Sequence, residues 1–210
     1  MPLKDHYFSI AKPSEGFYKE KGSKFLAFAY PVSSETDIKE RLEALRKEYY
    51  DARHHCYAYV YGNSGVHFRA NDDGEPNHSA GDPILGQIRS KELTNTLVVV
   101  IRYFGGTKLG VSGLIHAYKT AAAEALEANE IVKRDITEWL QFLFPYEGMN
   151  EVMKLVKQFE LKVLGQGYEN LCTLDAEVIV SKLDALMAKV ELMPKTGSAI
   201  QLKLSDENPN

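Results

Sequence analysis

Two short segments about thirty residues apart hold most of the side chains in this sequence that could do chemistry. The first, Asn71-Asp72-Asp73-Gly74-Glu75-Pro76-Asn77-His78-Ser79-Ala80-Gly81-Asp82-Pro83, places three carboxylates within four residues. The second, Arg102-Tyr103-Phe104-Gly105-Gly106-Thr107-Lys108-Leu109-Gly110-Val111-Ser112-Gly113, gathers four glycines into nine positions around one lysine. Each segment lies where a strand pattern gives way to a helical one, a junction that holds polar groups firmly while leaving them exposed.

Glycines let main-chain N–H groups converge on an anion, and the start of the following helix adds its partial positive charge. With Lys108 and Arg102 beside them, Gly105, Gly106 and Gly110 suit a phosphate, a nucleic-acid backbone or a carboxylate. The loop is not a Walker A motif, because Leu109 rather than Ser or Thr follows Lys108. The same glycines also suit tight packing of a helix on a strand. For Asp72, Asp73 and Glu75 three readings stand side by side. They could hold magnesium or supply a general base, form a solvated Asp-Gly and Glu-Pro turn, or pair with Arg102 and Lys108 to fix one loop against the other.

Arg53-His54-His55-Cys56 is the remaining polar cluster. Cysteine beside histidine suggests a nucleophile, and three histidines suggest zinc. Adjacent residues of a strand face opposite ways, so only one of His54 and His55 can share a face with a given site. No H-x-E…P-C-x-x-C or H-E-x-x-H pattern is present. Cys56 is therefore read as buried and inert, and His55 as the histidine facing the loops. The candidate ligand-binding set is Arg53, His55, Arg69, Asp72, Asp73, Glu75, Arg102, Gly105, Gly106, Lys108 and Gly110. No catalytic residue, metal ligand set or cofactor is assigned.

These residues need a scaffold, and the hydrophobic periodicity supplies one. Lys24 to Tyr30 reads as a strand ending at Pro31, and Ser34 with Asp37 resembles a capping box. Behind it Ile38, Leu42, Leu45 and Tyr49 recur at helical spacing. His55 to Tyr61 alternates as a strand. Asp82-Pro83 has the cap and first-position signature of a helix carrying Ile84 and Ile88. Thr96 to Ile101 is a continuous apolar run that predicts a strand buried on both faces. Leu114, Tyr118, Ala121, Ala122 and Ala125 mark a long helix with a small-residue face.

Arg134-Asp135-Ile136 reads as a boundary between a domain over residues 1–136 and a second over 137–210. Beyond it Trp139 to Phe144 reads as a strand and Val152 to Phe159 as a helix. Leu161 to Leu164 and Cys172 to Val180 read as strands with Gly165 and Gly167 in their turn. Ser181 and Asp184 are expected to cap a helix through Leu183, Leu186, Met187 and Val190, and Ala199 to Leu204 closes as a strand. The order β-α-β-β-α-β is that of a ferredoxin-like sandwich, and Ser205 to Asn210 reads as a frayed polar tail.

Composition narrows the partners. The chain has 210 residues, 44% of them hydrophobic, and a formal net charge of -4. No bulk positive field draws nucleic acid or an anionic membrane. Residues 1–136 hold 18 acidic and 18 basic side chains, and the remainder 11 and 7, so the acidic surplus is C-terminal. Two distant cysteines suggest no disulfide framework, and neither a signal peptide nor a membrane span is expected. The expectation is a cytoplasmic α+β protein with no membrane partner.

Lys21-Gly22-Ser23-Lys24-Phe25, Ala52-Arg53-His54-His55-Cys56, Asp72-Asp73-Gly74-Glu75-Pro76 and Arg102 to Gly110 together resemble the bacterial YigZ branch of the IMPACT family. The resemblance implies an N-terminal α+β domain of the ribosomal-protein and GHMP-kinase type. It also implies a ferredoxin-like C-terminal domain similar to the last domain of elongation factor G. Eukaryotic relatives are linked to control of translation initiation, so the resemblance implies a translation-associated regulator binding RNA, the ribosome or another anionic ligand. The sequence departs from the family pattern at Asn77-His78-Ser79, where Ser-Gly-Thr is usual, and at Ser112 and His116, where Gly and Arg are usual. A neutral histidine grips phosphate less firmly than arginine. Two other functions remain open: an enzyme acting on a phosphorylated or carboxylated small molecule, and a protein-interaction module without chemistry.

Overall fold

A computed structural model describes residues 5–63, 65–193 and 200–204. They form two compact units, Tyr7–Arg134 and a second containing Asp5, His6 and the chain from Asp135 onward. The architecture is mixed α and β throughout.

The larger unit runs β1 (His6–Ile10), β2 (Ser14–Glu20), β3 (Ser23–Pro31), α1 (Glu35–Glu48), β4 (His54–Tyr61), β5 (His67–Asn71), α2 (Gly81–Ser90), β6 (Thr96–Tyr103), α3 (Gly110–Glu127) and β7 (Ile131–Asp135). Five of these strands make one antiparallel sheet in the order β2-β3-β6-β4-β5, while β1 pairs with β7. Helices cover both faces of the sheet. On one face Val98 and Val100 of β6 pack with Ile84 and Ile88 of α2 and Leu114, Tyr118 and Ala121 of α3. On the other, Leu97, Val99 and Ile101 meet Ile38, Leu42 and Leu45 of α1. That double burial is why β6 reads as an unbroken apolar run, although its neighbours are antiparallel. Ser34 caps α1 as expected, accepting the Asp37 N–H at 3.0 Å, while the Asp37 carboxylate accepts from Ser33.

The smaller unit runs β8 (Thr137–Phe144), α4 (Met149–Phe159), β9 (Lys162–Tyr168), β10 (Cys172–Ile179), α5 (Val180–Glu191) and β11 (Gln201–Leu204). Its sheet has the order β11-β8-β10-β9, all pairs antiparallel. Leu140, Phe142, Phe144, Leu174, Ala176 and Val178 alternate inward against Val152 and Leu155 of α4 and Leu186 of α5. The period-2 pattern thus puts one face of each strand in the core.

Several local expectations are corrected. Gly165 and Gly167 lie inside β9, opposite Asp175 and Thr173, and not in the turn, which follows Tyr168. Neither Ser181 nor Asp184 caps α5 through its own side chain. The carboxylate of Asp5 does so, accepting the Ser181 N–H at 3.1 Å and its hydroxyl at 2.7 Å. Strands β1, β2, β5 and β7 were not expected, because their sequences are too polar for a clear apolar alternation: β5 is an edge strand with its first three residues exposed. Ala199 and the tail Ser205 to Asn210 lie outside the described residues.

Candidate functional site

Strand register assembles one end of the central sheet into a row. Arg102 of β6 stands between Phe25 of β3 and His54 of β4. Arg102 follows Val98 and Val100 by steps of two, so it points to the face that carries α2 and α3. There the chain leaves β6, passes through the glycine loop and enters α3. A recess of about 710 Å³ opens at this point, lined by residues that include Arg53, His54, Glu75, Arg102, Tyr103, Phe104, Lys108 and Gly110. The acidic and glycine-rich segments therefore contribute to one cavity.

The floor is a buried polar chain. Arg102 Nη1 donates to Glu75 Oε1 at 2.6 Å, and the Tyr118 hydroxyl donates to the same oxygen at 2.8 Å. The side chains of Arg102 and Glu75 are only 8% and 4% exposed. Cys56 Sγ lies 3.4 Å from the Tyr118 hydroxyl and 2.9 Å from the Asp72 carbonyl. Burial pushes the Cys56 thiol and the Tyr118 phenol far above their ordinary ranges, so neither is a nucleophile at neutral pH. The Arg102 guanidinium also sits 5.6 Å from the ring centres of both Phe25 and Phe104. Of the three readings of the carboxylates, the one that pairs the two loops is the one Glu75 adopts.

Asp72 and Asp73 turn elsewhere. Asp72 Oδ1 accepts the N–H groups of Ala80 and Gly81 at 2.9 and 2.8 Å, and Oδ2 accepts that of His78 at 2.9 Å. Asp72, not Asp82, thus caps α2 from nine residues upstream of Gly81, while the Asp82 carboxylate meets His78 Nδ1 at 2.6 Å. Burial opposes ionisation of Asp72, but the three N–H donors outweigh it and hold its carboxyl below the ordinary range. Such a group stabilises the fold above its unfolded pKa of about 4, and that stabilisation is lost as pH falls through the lower folded value. Asp72→Ala is expected to cost about 1–2 kcal/mol at neutral pH, the size of a lost helix cap. Urea unfolding over a pH series checks this: the gap from wild type should close in acid, and equal stability at pH 7 would refute the capping role.

Asp73 has a positive φ of 41° and faces the α1 side. Its carboxylate accepts the His55 N–H at 2.7 Å and lies 3.6 Å from Arg46. The three carboxylates therefore do not converge, and no cluster of three or more metal-ligating side chains exists among the described residues.

Not every candidate reaches the recess. His55 is buried on the opposite face of β4. Its imidazole pKa is lowered by burial, with the Asp73 carboxylate opposing. His54 takes the expected place of His55 and lines the recess, its Nδ1 2.9 Å from the Asp73 carbonyl. The error is one of parity: both faces of β4 are buried, so apolar alternation did not mark the site face. Arg69 is exposed on edge strand β5 and does not line the cavity. Gly105 serves packing and not anion binding. A Cβ there would fall less than 3.0 Å from the backbone of Gly22 and Ser23, and its N–H donates to Ser23 Oγ at 3.1 Å. His116 packs edge-on against Tyr18, with ring centres 5.7 Å apart.

Arg53, Lys108 and Gly110 do line the cavity, with Gly110 opening α3. That helix has no side-chain cap and no acidic residue in its first turn, so its leading N–H groups and positive end favour an anion. Two recess residues were absent from the candidate set, Tyr103 and Phe104. Phe104 is 58% exposed. Tyr103 donates to Asp51 at 2.7 Å, and that bond pushes its phenol up to about 12. An aromatic pair at the end of a buried strand was the available signal. What the recess can do is hold an anion beside an exposed ring.

Residues 21–126, which contain every recess-lining group, match the Impact N-terminal domain. The chain is 34% identical over 158 residues to the IMPACT family member YvyE of Bacillus subtilis, covering 74% of this chain and 73% of that protein. It is 30% identical over 173 residues to the IMPACT family member YigZ of Escherichia coli, covering 81% and 84%. A crystal structure described as that of a hypothetical protein superposes with a TM-score of 0.68 at 26% identity, covering 98% of this chain and all of that one. The chain belongs to the IMPACT family.

Proposed function

We propose that this chain is a translation-associated RNA-binding protein of the cytoplasm whose recess holds a phosphate of its ligand. The observation that carries the reading is the grouping of Arg53, Lys108 and the uncapped start of α3 around one cavity, with Phe104 exposed at its edge. Cations and helix N–H groups take phosphate, and an exposed ring takes an unstacked base. No helix among the described residues is long and apolar enough to cross a membrane. Within this proposal residues 1–136 form the domain of the ribosomal-protein and GHMP-kinase type. Residues 137–210 form a ferredoxin-like domain akin to the last domain of elongation factor G, which the element order and the strand order β11-β8-β10-β9 support.

The small-molecule-enzyme reading loses its proposed bases. Asp73 does not line the recess, and Glu75 already accepts from two buried donors. A salt series of single-stranded RNA binding tests the proposal. Affinity should fall linearly with the logarithm of salt, and Lys108→Ala should weaken binding of all sequences alike and reduce the salt slope by about 1. Binding that is absent or insensitive to salt removes the phosphate contact. Recovery of a protein partner that survives RNase treatment would favour the interaction-module reading instead.

A further inference from the structure

Resting on that reading, we infer that the recess takes a terminal phosphomonoester carrying a base, as in a nucleoside monophosphate or the 5′-phosphorylated end of an RNA, and not an internal phosphodiester. Four features of the cavity lead there.

The first is the supply of donors. Among the described residues no side chain caps the leading N–H groups of α3, and Lys108 stands just ahead of its N-cap residue Leu109. Arg102, over nine-tenths buried in the wall of the recess, has no hydrogen-bond partner for its Nε among the described residues, while Nη1 serves Glu75. An orphaned buried donor is rare and carries a desolvation cost. A terminal phosphate matches this set, since it offers three acceptor oxygens and a charge of about -1.5 to -2 at neutral pH. An internal diester has one charge, and the chain must leave it in two directions.

The second is the mixed charge of the walls. Arg53, Arg102 and Lys108 share the cavity with the carboxylates of Asp51 and Glu75. Arg69, the other candidate cation, stands on the edge strand β5 outside it. Proteins that follow a nucleic-acid backbone present a continuous basic groove, and a chain of net charge -4 is unsuited to one.

The third is size. About 710 Å³ falls within the usual range of small-ligand sites, roughly 300–1,000 Å³, enough for one nucleotide. The fourth is the ring. Phe104 follows Tyr103, the last residue of β6, lines the recess and is 58% exposed, so it offers a ring on which a base can stack. Phosphate at the α3 end and base against Phe104 would be one nucleotide bridging the cavity.

The test measures binding of two short single-stranded RNAs of one sequence, labelled at the 3′ end, one with a 5′-phosphate and one with a 5′-hydroxyl. The phosphorylated RNA should bind about tenfold tighter or more, the scale of one charge-assisted contact. Nucleoside monophosphate should compete better than inorganic phosphate, and Phe104→Ala should erase that advantage. Lys108→Ala should abolish the discrimination between the two RNAs. Both side chains are exposed, so melting temperatures should match wild type. Equal binding of the two RNAs overturns this inference and leaves RNA binding standing. Binding of nucleoside monophosphate without either RNA supports the inference and overturns the RNA reading. Binding of none of them overturns both.

Discussion

Arg102→Met is expected to cost about 3–5 kcal/mol of folding stability, the largest effect of any single substitution at the recess. The change removes the cation from a carboxylate that is 4% exposed and, among the described residues, leaves Glu75 with only the Tyr118 hydroxyl as side-chain partner. The cost belongs to the stranded charge more than to the lost bond, because a buried ion pair gains little over its solvated components. The double variant Arg102→Met/Glu75→Gln separates the two. Glutamine keeps an acceptor for Tyr118 but carries no charge, so it should recover part of the stability lost in Arg102→Met. Denaturant unfolding of the two single variants and the double variant gives the coupling directly. If Arg102→Met costs less than about 1 kcal/mol, the pair is solvated and the account of the recess floor fails.

Gly105→Ala should follow closely, at about 3 kcal/mol, at the severe end of overpacking. The new methyl group would meet the carbonyl of Gly22 and the amide of Ser23. These are backbone atoms of β3 and its turn, and they cannot swing aside as a side chain would. The adjacent Gly106 provides the control. It has φ of 87° but nothing within 4 Å of an added Cβ, so Gly106→Ala should cost only about 1–2 kcal/mol for the unfavourable backbone angle. Thermal or urea unfolding of both variants checks the order. A neutral Gly105→Ala, or one milder than Gly106→Ala, would show that β3 and the glycine loop are not in contact.

This pair of glycines shows how far the sequence could be read. That the loop was rich in glycine was plain, but anion cradle and tight packing predict the same letters. Only the approach of Gly22, more than eighty positions away, decides for packing at Gly105. The pairing of Glu75 with Arg102 was among the legible options because opposite charges in converging loops attract. The element order was legible wherever apolar residues formed one face, as in α1, α3, β8 and β10, or an unbroken run, as in β6. The side of β4 that faces the recess was not, since a strand packed by helices on both faces gives no polar marker. His54 rather than His55 lines the cavity for that reason alone. Helix starts failed where the capping group came from elsewhere in the chain, Asp72 for α2 and Asp5 for α5.

The clasp between Asp5 and Ser181 spans 176 positions, and it gives synthesis of the chain an order. The carboxylate is made 176 positions before the helix end it secures. During synthesis the clasp therefore cannot close until Ser181 has emerged, by which time the whole of the larger unit, Tyr7–Arg134, is already made.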